Sequence, residues 1–307
     1  MLIPSHFLFH VLWGKISIIF VERCSYVPDN IMYQNKELSL SEVSQLSNPQ
    51  LYDYFTNNPV RWICCIIPAD KHERIVRCVK LRDANEEISS ISRLSYCPSD
   101  ILREGVYNRC NLPKQEMFYG TLFGEGGDEI KHAEITSVFE ISDLCHETSY
   151  EDEYYVSGEW LATRDISALV IFDHTQPAKS SIIQKAKYEA EQLLLAHPNE
   201  TIGDVSIIKA FSQEVRNNSE YRFSACYSAF LFKSFPIDAI IYPSVRTENV
   251  GTCIAIRPSF VDSGGIKLIG TTKNKLFLEG DRKISGIVYQ HGRIDERTNL
   301  IRYDIIG

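Results

Sequence analysis

Strand-like segments on both sides of a helical middle limit the fold of this chain more than any other feature. The first group reads "VRWICCIIP" (60–68), "RIVRCVKL" (74–81), "MFYGTLF" (117–123), "VSGEWLAT" (156–163) and "ISALVIF" (166–172). These are short runs rich in β-branched and aromatic residues, as strands are. Then comes "KSSIIQKAKYEAEQLLLAH" (179–197), with the apolar spacing of an amphipathic helix, stopped by Pro198. Two more helices are expected around 201–215 and 219–234. A second strand group follows: "DAIIYPS", "TCIAIRP", "IKLIG", "KLFLE" and a terminal hairpin over "ISGIVYQ" and "NLIRYDI". The regular βαβ alternation of a doubly wound sheet is missing, so the expected class is α+β.

Shorter segments complete the reading. "EIKHAEITSVFEIS" (129–142) is expected to be helical, "GEGG" (124–127) a turn, and the acidic "SYEDEYY" (149–155) an exposed run. "RDANEEISSIS" reads as loop or short helix. Residues 1–58 form an accessory segment, and 59–307 the main domain. Within the former, "ISIIFVE" reads as a buried strand rather than part of a leader or membrane span. Ser39 and Glu42 have capping-box spacing ahead of "LSEVSQL", which Asn48-Pro49 is expected to break before further helix at "LYDYFTNN".

The 307 residues are 44% hydrophobic and 23% charged, enough to build a large core without metals or disulfides. A net charge of −8 argues against a broad nucleic-acid or anionic-membrane surface. Nine cysteines show no C-x-x-C spacing, and several lie in apolar runs. That argues against a zinc site and for reduced thiols in a cytoplasmic protein. The chain has no G-x-S-x-G elbow, no phosphate-binding G-K-[ST] loop and no H-E-x-x-H.

A few residues stand out chemically. Arg109 precedes a strand, in a polar loop where a guanidinium can grip a phosphate bidentately. Tyr119 closes "MFY", and alternation puts it on the opposite strand face from Phe118, so one can be core while the other faces a cleft. A cleft tyrosine offers a flat face to a heteroaromatic ring. Glu140 sits among apolar residues in "TSVFEIS", where a carboxylate must face solvent or be held in a pocket. Glu134, in the more polar "HAEIT", is the alternative carboxylate. Ser244 ends a β-branched strand at Tyr-Pro-Ser, as cleft residues often do. Taken singly, each also fits an ordinary structural role: a solvated arginine, a core tyrosine, a surface glutamate, a turn serine.

Together these stretches resemble the RES domain family. "YNRCNLPKQEMFYG" is similar to its G-R-x-N-x-P-G-x-x-x-F-Y-x-S segment, with the same ten-residue step from Arg109 to Tyr119. "AEITSVFEIS" resembles the following T-A-[ILV]-x-E helix, and "DAIIYPSVRTENVGTCIAI" the D-G-[IL]-x-Y-P-S-[VAT]-R block. The likeness spans roughly residues 74 to 270 and is most specific in the first and last blocks. The chain departs from the pattern at Tyr107-Asn108, Lys114 and Cys253, and in the 21 residues between Tyr119 and Glu140.

The resemblance implies an ADP-ribosyltransferase-like split β-sheet core with flanking helices. It implies a toxin of a toxin–antitoxin module that degrades NAD as substrate, as glycohydrolase or phosphorylase, with water or inorganic phosphate as acceptor. Arg109 would hold the NAD phosphates, Tyr119 would stack on nicotinamide, Glu140 would steady the ribose, and Ser244 would hydrogen-bond in the nicotinamide pocket. Asn111, Arg246 and Glu134 join the substrate-binding set. The expected partners are NAD and a cognate antitoxin, with no nucleic acid, membrane, metal or separate cofactor. Transfer of ADP-ribose to a macromolecule, or NAD binding without turnover, are the alternatives.

Overall fold

A computed structural model describes residues 10–13, 16–19, 42 and 45–305, except 59, 61, 70–73, 123–128, 147–151, 174–175, 177–179, 197, 199–201, 216–217 and 280–282. The expected turn at 124–127 and most of the helix at 40–46 lie outside these residues.

Twelve described strands form one mixed sheet. In chain order they are β1 (His10–Trp13), β2 (Ile16–Ile19), β3 (Trp62–Ile67), β4 (Arg74–Lys80), β5 (Phe118–Leu122), β6 (Asp152–Ala162), β7 (Ile166–Val170), β8 (Ala239–Pro243), β9 (Thr252–Ile256), β10 (Ile266–Glu279), β11 (Lys283–Asp295) and β12 (Leu300–Ile305). Across the sheet the order is β1-β2-β3-β7-β8-β9-β5-β4-β6-β10-β11-β12. Among these pairings only β7–β8 is parallel. Parallel neighbours need a long crossover, and the helical middle of the sequence is that crossover. It contains α4 (Ser181–Ala196), α5 (Val205–Ser212) and α6 (Arg222–Ser234). The other helices are α1 (Asn48–Asn57), the single turn α2 (Ile91–Leu94), α3 (Glu129–Ile141) and the short α7 (Pro258–Asp262). The α+β class expected from the sequence is the class observed.

The crossover helices cover both faces. α4 buries Ile183, Ala186, Ala190 and Leu193, one stripe at three-and-four spacing, in the core that also holds Ile63, Phe118 and Ile241. α5 and α6 pack on the opposite face with Trp62, Leu169, Ile240 and Tyr242. α1 joins that second layer: Phe55 meets Tyr227 with ring centroids 4.9 Å apart. Trp62 donates its indole N–H to the Tyr227 hydroxyl at 2.6 Å.

Three local expectations are corrected. Asn48-Pro49 opens a helix instead of breaking one. Proline suits the first turn because its missing N–H has no helical acceptor there, and the Ser47 N–H is taken by the Gln50 side chain at 2.7 Å. The acidic run at 149–155 is not uniformly exposed. Glu153 is buried on β6, where it accepts from Ser142 Oγ at 2.6 Å and Asp143 N at 3.0 Å and pairs with Lys80. Those partners offset the desolvation that an unpaired carboxylate would suffer. "IKLIG" and "KLFLE" are not two strands but one, β10, paired along its length with β6 and with a register shift between Leu268 and Gly270.

The β4–β5 ladder positions the site. It holds only two residue pairs, Ile75 with Leu122 and Val76 with Thr121. Beyond Val76 the strands part. β4 continues along β6 and β5 continues along β9. Backbone groups stranded by such a split need new partners, and side chains supply them. Ser137 Oγ accepts from Cys78 N at 2.8 Å, and Arg77 Nη1 donates to the Tyr119 carbonyl at 2.7 Å.

Candidate active site

A cavity of about 290 Å³ opens at this split. β4 contributes Arg77 and Cys78, and β5 contributes Tyr119, Gly120 and Thr121. α3 adds Ser137, Glu140 and Ile141, spaced three and four residues apart and so on one helical face. Arg109, Tyr221, Tyr242 and Cys253 complete most of the wall. A larger cleft of about 760 Å³ lies elsewhere, around Ser90–Ser95 and Trp160. The smaller cavity is the better candidate because two guanidiniums, a carboxylate and three phenols converge on it.

Arg109 sits at the C-terminal end of α5. Its Nη1 donates to the carbonyls of Ala210 at 3.1 Å and Phe211 at 2.7 Å, and its Nη2 to Gln213 O at 3.4 Å. Helix C-termini carry unsatisfied carbonyls and partial negative charge, which a guanidinium complements. The same group lies over the Tyr221 ring, 5.0 Å from its centroid, and 5.9 Å from that of Tyr242. Three of its five N–H groups are therefore engaged within the protein.

Tyr119 and Phe118 divide as alternation requires. Phe118 is fully buried in the core, while Tyr119 lines the cavity. The Tyr119 hydroxyl donates to Asn111 Oδ1 at 2.6 Å and accepts from Cys110 N at 2.9 Å. Burial holds its pKa well above the usual tyrosine value, so it is a neutral phenol at physiological pH. Asn111 is 2% exposed and spends its amide on Leu112 O and Gln115 O. It buttresses Tyr119 rather than lining the cavity.

Glu140 and Ser244 meet from distant parts of the sequence. Ser244 is fully buried at the end of β8, and its Oγ donates to Glu140 Oε1 at 2.6 Å. Cys253 Sγ approaches the same oxygen at 3.5 Å. The loop after Ser244 is tightly built. Ser244 N donates to Gly251 O at 2.9 Å, and Glu248 and Asn249 both adopt left-handed backbone (φ 52° and 63°). Gly251 lies against α3, where an added Cβ would fall 2.1 Å from Thr136 Oγ1. Glycine at this position lets the loop and helix approach closely enough for Ser244 to reach Glu140.

Glu134 does not share this cavity. It is six residues before Glu140, about 240° around the helix axis. It lines a separate cavity of about 330 Å³ with Ser157, Glu159 and His291. Burial raises its pKa, helped by the nearby Glu159 charge and opposed by a hydrogen bond with Ser157. Arg246 is exposed in the 3₁₀ turn that follows Ser244 and is not among the residues lining the cavity.

The sequence reading missed Arg77, Tyr221 and Tyr242. Arg77 carries a signal in hindsight, as a cation at the centre of a strand, flanked on both sides by apolar pairs. Burial pushes its guanidinium down to about 10, which leaves it cationic at neutral pH. The two tyrosines look like any strand or helix aromatic. Cys253 and Cys78 do not supply a thiolate: burial raises both, Cys78 to about 12. Among the described residues no histidine lines the cavity. The described residues of the cavity therefore bring together guanidiniums, phenols and the carboxyl group of Glu140. Among the described residues, no group of three or more His, Cys, Asp or Glu could hold a metal ion, and no helix is long and apolar enough to cross a membrane.

Comparison of the sequence with models of known protein families gives no match, and comparison with curated proteins gives none.

Proposed function

We propose that the chain cleaves the nicotinamide–ribose bond of NAD, on an ADP-ribosyltransferase-like core, as the toxin of a toxin–antitoxin module whose antitoxin covers the cavity. The observation that carries this reading is the convergence of Arg109, Tyr119 and Glu140 on one cavity, with buried Ser244 donating to the Glu140 carboxylate. The resemblance of the sequence to RES domains singled out these same four residues.

The chemistry asks for little else. In NAD the ring nitrogen bonded to ribose C1′ is already cationic. Breaking that bond moves the electron pair onto the nitrogen, so nicotinamide leaves neutral and no acid is needed to protonate it, unlike an ordinary glycoside. The ribose is left with oxocarbenium character. A carboxylate held in place beside it stabilises the developing charge. Ser244 fixes Glu140 Oε1, which leaves Oε2 for the sugar. Tyr119, Tyr221 and Tyr242 offer ring faces, and the Arg109 guanidinium favours the phosphates. An oxygen of water or of inorganic phosphate then bonds to C1′, and in the case of water a proton is released. A cavity near 290 Å³ is at the small end for ligand sites. It suits the nicotinamide nucleotide half, with the adenosine half outside.

NAD labelled in the adenylate portion, incubated with purified protein, phosphate and a cell lysate, tests the reading. Release of free nicotinamide with the label on ADP-ribose or its 1″-phosphate supports it and names the acceptor. Label on protein or nucleic acid indicates transfer instead. NAD binding without nicotinamide release indicates a module without turnover.

A further inference from the structure

We propose that Arg77 is a second anion-binding group of the cavity and the main anchor for a diphosphate. The choice of a diphosphate as ligand rests on the NAD reading above; the presence of an anion subsite does not. Arg109, the arginine that the sequence singles out, has both Nη1 hydrogens and one on Nη2 committed to carbonyls at the end of α5. Its fork is already mostly occupied. Arg77 makes one bond in the described structure, from Nη1 to Tyr119 O, and its Nε is buried without any partner.

The surroundings of Arg77 point the same way. Among the described residues no carboxylate lies within ion-pair distance of it. Its guanidinium rests against the Phe118 ring, 5.5 Å from the centroid, so one side is apolar. Burial is what most disfavours its charge, and Arg93 adds only a small repulsion that Cys78, Cys97 and Tyr119 oppose. A desolvated cation with unused donors and no counter-ion is unfavourable. An anion entering the cavity would supply the missing charge and accept from the free N–H groups, and the planar fork of arginine matches phosphate oxygens. Arg77 and Arg109 enter the wall from different elements, β4 and the loop before β5. Two separately held guanidiniums suit two linked phosphates better than a single carboxylate.

Arg77 also braces Tyr119 O, so a loss of binding could reflect altered structure. Two probes separate the cases: inorganic pyrophosphate, and nicotinamide riboside, which has no phosphate. Both are titrated by calorimetry against wild type, Arg77→Met and Arg77→Lys, with thermal unfolding run alongside. The expected result is pyrophosphate affinity lower by roughly 10- to 100-fold in Arg77→Met, the range for a lost charged hydrogen bond. Riboside affinity should stay unchanged, and Arg77→Lys should fall between. If Arg77→Met does not fold, Arg77→Lys decides by the same comparison, with a several-fold loss for pyrophosphate alone. The proposal is overturned if wild type does not bind pyrophosphate, if the folded variant binds it as wild type does, or if both probes weaken equally. None of these readouts needs NAD turnover. A wild-type protein that binds pyrophosphate through Arg77 but releases no nicotinamide would refute the enzymatic reading and leave this one standing.

Discussion

Tyr119 shows how one side chain serves both stability and the site. Its ring lines the cavity, while its hydroxyl satisfies Asn111 Oδ1 and Cys110 N in the buried loop behind it. Removing the hydroxyl strands two buried polar groups, each worth about 1–3 kcal/mol. Tyr119→Phe is therefore expected to unfold at lower urea concentration, by about 2 kcal/mol or more, while keeping the ring face and hence NAD affinity. Urea denaturation together with NAD titration checks both halves. Equal stability would mean the loop finds other partners. A proportionate loss of NAD binding would mean that the hydroxyl itself touches the ligand. The sequence showed that Tyr119 and Phe118 take opposite faces, because alternation is a local property of a strand; which of them lines the cavity is set by packing. It could not show the Asn111 partnership, which depends on how the loop at 108–117 folds back.

At the scale of elements, α3 separates two carboxylates into two cavities. Gly251 sets how close the helix comes to the loop after β8. Gly251→Ala would place a methyl group against Thr136, so the helix must shift. Loss of stability is expected, together with a fall in nicotinamide release as Glu140 leaves Ser244. Thr136→Ala should recover part of both, since it removes two of the three crowding atoms. Unfolding and turnover measured on the single and double variants decide this, and strictly additive losses would show that the contact is not the cause. Glu134, on the other face, gives a pH signature. Its folded pKa is raised by burial, so the folded state binds more protons than the unfolded state once pH exceeds the ordinary carboxylate value. Stability then falls as pH rises through that window. Glu134→Gln should be stabilising at pH 7 and have little effect below about pH 4. Denaturation midpoints at the two pH values test this, and an equal effect at both would remove burial as the cause. The helix itself was legible in the sequence. Which glutamate faces which cavity was not, because that depends on the packing of α3 against β4 and β5.

For the whole molecule, the helical middle of the sequence becomes a crossover between the only two parallel strands among the described pairs. The helical layers on the two faces follow from that, and the run of apolar segments foretold the class. The split between β4 and β5 was not foretold by any local pattern. Strand pairing is long-range, and "RIVRCVKL" reads the same whether its ladder holds two pairs or seven. Arg77 was overlooked for the same reason, since its significance comes from the ladder ending beside it. The central claim is that the cavity at this split uses Glu140 to break the nicotinamide–ribose bond. The most direct measurement is nicotinamide release from NAD by wild type, Glu140→Gln and Glu134→Gln at matched folding. Loss of a charge-stabilising group held in place typically lowers turnover by about 10²- to 10³-fold. The account predicts that loss for Glu140→Gln and near wild-type release for Glu134→Gln. Release that survives in Glu140→Gln but disappears in Glu134→Gln, or no release by the folded wild type, would contradict it.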